Sequence, residues 1–212
     1  MNKRLFSILY MFLLTLLFTS IVSGVKTYNQ TKIETNQRVK LQRIILQVLK
    51  MSAGESLSDL KVVETFHQRV KEIEAKDRTL YVGYAPDGKT ITGYAFPVAG
   101  PGFWGPVYGM VAVDPSASRI LGVAFYKHSE TPGLGARITE DWFTKQFIGL
   151  PVHPIEGKDK IFYLKSAGTT KSRNELDAVT GATGTSRAVE AFLNKELDLF
   201  LKDIWPEVKK KG

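Results

Sequence analysis

From Leu5 to Val25 the chain runs twenty-one positions without a charge, about the length a helix needs to cross the hydrocarbon core of a bilayer. The pattern predicts a transmembrane helix preceded by the basic pair Lys3 and Arg4. A cleaved signal peptide is the rival, because that pair is a basic start and Val22-Ser23-Gly24 is a passable small-residue cleavage site. A signal h-region is usually only about 7–15 residues long, so the longer run favours a retained anchor. Asn29 to Met51 then reads as a polar helix with a narrow apolar stripe at Leu41, Ile44, Ile45 and Val48, stopping near Gly54. A second helical pattern starts at Ser58 and sets Leu60, Val63, Phe66, Val70 and Ile73 on one side.

The period changes at Arg78. Leu80 to Tyr84 and Thr90 to Val98 are β-rich runs joined by the turn residues Pro86-Asp87-Gly88, which predicts a hairpin. Val107 to Asp114 and Arg119 to Tyr126 predict a second one around Pro115 to Ser118. Strands that follow one another through short turns form an antiparallel sheet, so the expected fold is α+β with flanking helices rather than doubly wound. A helix is expected over Glu140 to Ile148 and a strand over Ile161 to Leu164, and Leu176 to Thr180 leads into a last amphipathic helix carrying Ala188, Val189, Phe192, Leu193 and Leu197. The expected division is an anchor at 1–28, a helical packing region at 29–77 and one globular domain at 78–212.

Composition narrows the chemistry. The chain has 212 residues, 43% hydrophobic and 24% charged, which suits one folded domain beyond the anchor. It contains no cysteine, which excludes thiol catalysis, disulfides and thiolate-held metal or iron–sulfur centres. With three dispersed histidines, no metal site is expected. The formal charge of +8 is scattered, with no ladder of aromatic and basic residues for nucleic acid; it suits a solvated face near anionic headgroups.

Two loops stand apart. Gly100 to Pro106 alternates glycine and proline around Phe103 and Trp104, holding an aromatic surface on a stiff, closely approachable backbone. Lys127 to Arg137 directly follows a predicted strand and combines His128, Glu130 and Thr131 with Gly133, Leu134 and Gly135. His128 and Glu130 have no clustered metal ligand and no evident nucleophile beside them, so they are expected to shape the loop. The densest stretch is Asp177 to Ser186, Asp-Ala-Val-Thr-Gly-Ala-Thr-Gly-Thr-Ser, at the start of the last helix. It reads either as a capped turn or as an anion-friendly helix start whose hydroxyls are open to bonding or esterification. It lacks the Gly-Lys-Ser/Thr ending of a nucleotide-hydrolysing P-loop, and no Gly-x-Ser-x-Gly elbow suggests acyl transfer.

Asp177 to Thr185, the upstream His128 to Gly135 and the single N-terminal apolar segment together resemble the FMN-binding domain family. The likeness is to the flavin-carrying G subunit of Rnf-type electron-transport complexes and to the related C subunit of the sodium-translocating NADH:quinone oxidoreductase. It implies FMN joined covalently through its phosphate to the hydroxyl of Thr185. A separate flavin transferase would read Asp177, Thr180, Gly181, Ala182 and Thr183, with Gly184 at the variable position and Ser186 as a competing hydroxyl. The small residues around Thr185 are expected to leave it accessible, with His128, Glu130, Thr131, Gly133, Leu134 and the Gly102 to Gly105 aromatics near the flavin. A flavin carries the redox chemistry while the protein binds and tunes it, so no catalytic residue is expected.

The resemblance further implies an electron-transfer subunit that does not complete catalysis alone, within a membrane complex coupling redox chemistry to ion movement. Its place would be the cell inner membrane, single-pass, with the domain on the periplasmic side. Charge does not supply that side, since Lys26, Lys32, Arg38 and Lys40 follow the apolar run closely. The alternatives are an anchored domain of the same fold without flavin, acting as sensor or assembly factor, and a secreted reductase freed by signal cleavage.

Overall fold

The computed structural model describes residues 3–51, 57–154 and 156–211. Two compact units are resolved, Met1–Leu41 and Gln42–Gly212. The apolar run and the predicted polar helix form one helix, α1 (Lys3–Val48). No Gly or Pro interrupts the sequence between Lys26 and Lys50, so nothing there stops a helix once started. The stop expected near Gly54 lies outside the described residues. Within the first unit α1 is long and apolar enough to cross a membrane, and its side chains from Leu5 to Val25 are exposed.

The second unit is built on a five-stranded antiparallel sheet in the order β1-β2-β3-β4-β5: β1 Val70–Ala75, β2 Arg78–Tyr84, β3 Ile91–Pro101, β4 Pro106–Val113 and β5 Ile120–Lys127. The fold is α+β, as the strand pattern predicts. One hairpin turns at Asp87, whose carboxylate accepts from the Thr90 hydroxyl and from the amides of Thr90 and Lys89. Those bonds, that of the hydroxyl first, hold its carboxyl below the ordinary aspartate value.

Strand β1 corrects the sequence expectation. The helix beginning at Ser58 is α2 (Asp59–Arg69), and Val70–Ala75 leaves it to pair with β2 through a tight turn in which Lys76 and Asp77 take positive φ. Val70 and Ile73 fit a helical stripe by spacing, but six cross-strand pairs with β2 outweigh that local preference. The buried side of α2 is consequently Val62 and Phe66, while Leu60 is 86% exposed.

Both faces of the sheet are covered. On one, Leu80, Val82, Tyr94, Phe96, Val98, Val111 and Val113 share a core with Val189, Phe192, Leu193 and Leu197 of α4 (Thr183–Leu199). Phe200 opens the π-helical turn that follows α4 and stacks on Phe96, with centroids 4.2 Å apart. On the other lies the end of α1, where Ile45, Leu46 and Val48 are buried. Gly122 admits it, since a Cβ there would lie 2.7 Å from the Val48 carbonyl oxygen.

The helix expected at Glu140 to Ile148 is a 3-10 turn (Gly135–Thr139) followed by the short α3 (Asp141–Lys145). Strands β6 (Tyr163–Lys165) and β7 (Glu175–Asp177) form a separate parallel pair. Because β7 ends at Asp177, Ala178 to Ala182 are free to loop into α4; a short C-terminal helix, α5 (Trp205–Lys211), closes the described chain.

Candidate functional site

Three loops converge where β3 turns into β4, where β5 ends, and where α4 begins. Tyr108 of β4 pairs with Lys127 of β5, which sets the first two loops side by side. Phe192 of α4 packs so close to β3 that a Cβ at Gly100 would lie 2.2 Å from its Cβ; this contact holds the start of α4 near the same corner.

The centre of the corner is a hydrogen bond between Thr185 and Glu130. Thr185, in the first turn of α4, is 3% exposed, and Glu130 is 5% exposed. The Thr185 hydroxyl donates to Glu130 Oε2 at 2.5 Å. Glu130 Oε1 accepts from the amides of Phe103 at 2.8 Å and Trp104 at 3.1 Å. The Glu130 amide in turn donates to His128 Nδ1 at 3.2 Å, which holds the turn between β5 and the glycine-rich loop. A buried carboxylate is costly unless several donors satisfy it; here donors from the other two loops do so.

Glycines make this packing possible. A Cβ at Gly135 would sit 2.5 Å from Thr185 Oγ1 and 2.7 Å from Glu130 Oε2; at Gly102 it would sit 2.5 Å from Glu130 Oε1. Gly184, the variable position of the motif, underlies the Phe103 ring, whose Cδ2 would be 2.3 Å from an added Cβ. Gly181 has φ +78°, a left-handed conformation that favours glycine.

These groups border a cavity of about 210 Å³ lined by Phe103, Trp104, Glu130, Leu134, Ala182 and Thr185, with Thr131, Gly135, Gly181, Thr183 and Gly184 completing it. Phe103 and Trp104 are 60% and 67% exposed and meet edge to face. A larger cavity of about 450 Å³ lies on the other side of the helix start, with Lys165, Ser166, Thr180, Thr183 and Arg187 around it. We place the site in the smaller one, because it alone brings together the buried hydroxyl, its carboxylate partner and the exposed rings.

Of the residues singled out in the sequence, Thr185, Ala182, Gly184, Glu130, Thr131 and Leu134 meet at the smaller cavity, while Gly181 and Thr183 border both. Thr180 faces only the larger. His128 and Gly133 line neither, and Gly133 is exposed with φ +73°. Asp177 also lies outside both linings: its amide donates to Gln146 Oε1 and its Oδ1 accepts from the Gly168 amide. The capped-turn expectation is replaced, since the N-cap is Ala182 and no side chain caps α4. Ser186 instead turns back, its Oγ accepting from the Val179 amide. Nor is Thr185 open to solvent, as its small neighbours suggest; those neighbours let Glu130 and Phe103 close over it. Lys165 and Arg187 escaped the sequence reading; Lys165 comes beside the motif only because β6 pairs with β7, which sets it opposite Asp177.

An uncapped helix start favours an anion, exposed rings favour a flat conjugated partner, and the buried Thr185 borders the space between them. The donor set and the glycine cradle fit a phosphate-bearing aromatic ligand such as a flavin nucleotide. The corner therefore defines a binding domain of that class. Residues 102–198 match the family model described as FMN-binding domain.

Relatives include the C subunit of the Na(+)-translocating NADH-quinone reductase of Neisseria meningitidis, 35% identical over 116 residues, covering 55% of this chain and 44% of that protein. Its Yersinia pestis counterpart is 32% identical over 108 residues, 51% of this chain and 41% of that one. The chain thus spans less than half the length of these curated relatives. Among solved structures, Shewanella oneidensis NqrC superposes with a TM-score of 0.66 at 22% identity, over 76% of this chain and 92% of that one. The corresponding reductase subunit from Parabacteroides distasonis gives 0.68 at 23%, over 82% and 95%. At those identities the likeness defines the fold.

Proposed function

We propose that this protein is a membrane-anchored flavoprotein subunit that carries one FMN, joined by a phosphoester to Thr185, and relays electrons within an ion-translocating oxidoreductase complex of the Nqr or Rnf type. The observation that carries the proposal is the placement of Thr185: a buried hydroxyl at an uncapped helix start, opening on a cavity walled by two exposed aromatic rings. Bound FMN supplies one- and two-electron transfer. The chain's own residues bind and orient it. The start of α4 favours the phosphate charge, Phe103 and Trp104 offer faces for stacking, and the glycines let the ligand approach the backbone.

In this proposal residues 1–28 anchor the chain in the cell inner membrane, and the domain at 78–212, whose sheet strand β1 completes, carries the flavin on the periplasmic side. The other subunits of the complex are its partners, and a flavin transferase matures it by way of Asp177 and Thr180 to Thr183.

Co-expression with a flavin transferase, followed by intact-mass measurement and flavin fluorescence after denaturing electrophoresis, tests the attachment. The wild-type chain gains one FMN less one water and its band fluoresces, while Thr185→Val does neither. Undiminished covalent flavin on Thr185→Val would falsify the assignment, and a wild-type chain without added mass supports the flavin-free sensor or assembly factor instead.

A further inference from the structure

Glu130 is the buried carboxylate whose purpose the proposed function leaves open. Its sequence neighbours offered no nucleophile, but the fold brings one from 55 residues away, the Thr185 hydroxyl, and orients the hydroxyl proton at Oε2. The second carboxylate oxygen is fixed by the amides of Phe103 and Trp104, so the carboxylate cannot rotate away without breaking both bonds. Gly102 and Gly135 are packed so closely around the pair that neither position tolerates a Cβ without displacing it. A loop needing only a structural carboxylate would not have to aim one oxygen at the single hydroxyl to be modified.

We infer that Glu130 is the general base for flavin attachment, so that this chain supplies part of the catalytic machinery for its own modification. The inference rests on Thr185 as the attachment point. Joining a phosphate to a hydroxyl requires an activated phosphate, and a flavin bearing one is a dinucleotide with a pyrophosphate link, such as flavin adenine dinucleotide. As the Thr185 Oγ–P bond forms, the pyrophosphate P–O bond breaks and the adenylate leaves; the Thr185 proton passes to Glu130 Oε2. No electrons are gained or lost. The esterified oxygen no longer donates, so the Thr185–Glu130 hydrogen bond is given up as the ester forms.

Two substitutions separate this role from a structural one. Glu130→Gln keeps the side-chain length and an acceptor for the Phe103 and Trp104 amides but takes up no proton. Glu130→Asp keeps the proton acceptor but shortens the side chain and weakens both amide bonds. The full chain in detergent is incubated with a flavin transferase and flavin adenine dinucleotide, and covalent flavin is followed by mass against time at several acceptor concentrations. For Glu130→Gln the expected outcome is a fall in kcat of about 10²–10⁴-fold with KM unchanged, and the rates rank wild type, then Asp, then Gln. A structural role gives the opposite order, with Asp worse than Gln, and overturns the inference, as does a Gln variant with wild-type kcat. If Glu130→Gln fails to fold by near-UV circular dichroism, an Asp variant that is folded yet transfers no flavin overturns it, and one that transfers flavin at a reduced kcat supports it. A wild-type chain that takes up flavin at another residue removes the Thr185 assignment and this inference with it, whereas loss in Thr185→Val with wild-type rates in Glu130→Gln removes this inference alone.

Discussion

The two sides of the α4 start are built from one continuous motif and yet differ in almost every property. On the Thr185 side a carboxylate and a hydroxyl are both nearly inaccessible, glycines bring three loops into contact, and two large aromatic rings stand exposed. On the Thr180 side the cavity is about twice as large, the hydroxyl residues at its edge include Ser166, Thr180 and the exposed Thr183, and the nearby charges are the cations of Lys165 and Arg187. Successive side chains on a helix diverge by about 100°, so neighbouring hydroxyls at a helix start need not serve one ligand. A run of Thr and Gly is therefore not a uniform anion cup. Its register against the loops it meets decides which hydroxyl is held, which is free and which is used for folding.

The contrast is most sharply tested where the first side is tightest. In Gly135→Ala the new Cβ meets Thr185 Oγ1 at 2.5 Å, Glu130 Oε2 at 2.7 Å and Glu130 Cβ at 3.0 Å, all on buried residues. The pair has to separate. Overpacking of this kind costs about 1–3 kcal/mol, and covalent flavin is expected to be lost along with the Thr185–Glu130 bond. Thermal unfolding and flavin fluorescence of the denatured band read the two effects separately. A Gly135→Ala chain that takes up flavin as the wild type does breaks the claim that the glycines exist to hold that pair.

How much of this was legible in the sequence depends on the range of the interaction involved. Strands β2 to β5 are visible because alternation and turn chemistry are local, as at Pro86 to Gly88. The motif's place at a helix start was equally visible, since Val189, Phe192 and Leu193 follow it directly. Strand β1 was hidden because Val70 and Ile73 satisfy a helical spacing, and only pairing with β2 assigns them to a sheet. The bond from Glu130 to Thr185 joins positions 55 residues apart and leaves no local trace. Gly135 was visible only as one glycine of a loop that follows a strand; its role, the absence of a Cβ at a crowded point, shows only in the packing.

Ser186 gives the next test. It is 2% exposed, and its Oγ accepts from the Val179 amide at 3.1 Å, tying the loop before the helix to the helix itself. Ser186→Ala leaves that amide without its partner, at a cost of about 1–3 kcal/mol. Flavin attachment is expected to continue, because the neighbouring hydroxyl is committed to folding. Denaturant unfolding together with intact mass checks both halves. A stable Ser186→Ala chain without flavin reassigns the attachment from Thr185 to Ser186.

The smallest effect belongs to the wider cavity. Arg187 is exposed and has no hydrogen-bond or ion-pair partner among the described residues, and Lys165, also exposed, lies over the Tyr163 ring at 5.5 Å. Exposed groups without buried partners contribute little to folding, so Lys165→Ala with Arg187→Ala is expected to stay within about 0.5 kcal/mol of the wild type for each substitution. The same pair of changes asks which side of α4 favours the flavin. If FMN sits on the Thr185 side, its non-covalent affinity in a Thr185→Val background, followed by fluorescence titration, is nearly unchanged when the two cations are removed at moderate salt, because screening over about 10 Å weakens their reach. A large, salt-dependent loss of affinity would instead place the phosphate between Lys165 and Arg187. Thr180 and Thr183 would then be the hydroxyls nearest the ligand, and the contrast between the two sides would be reversed.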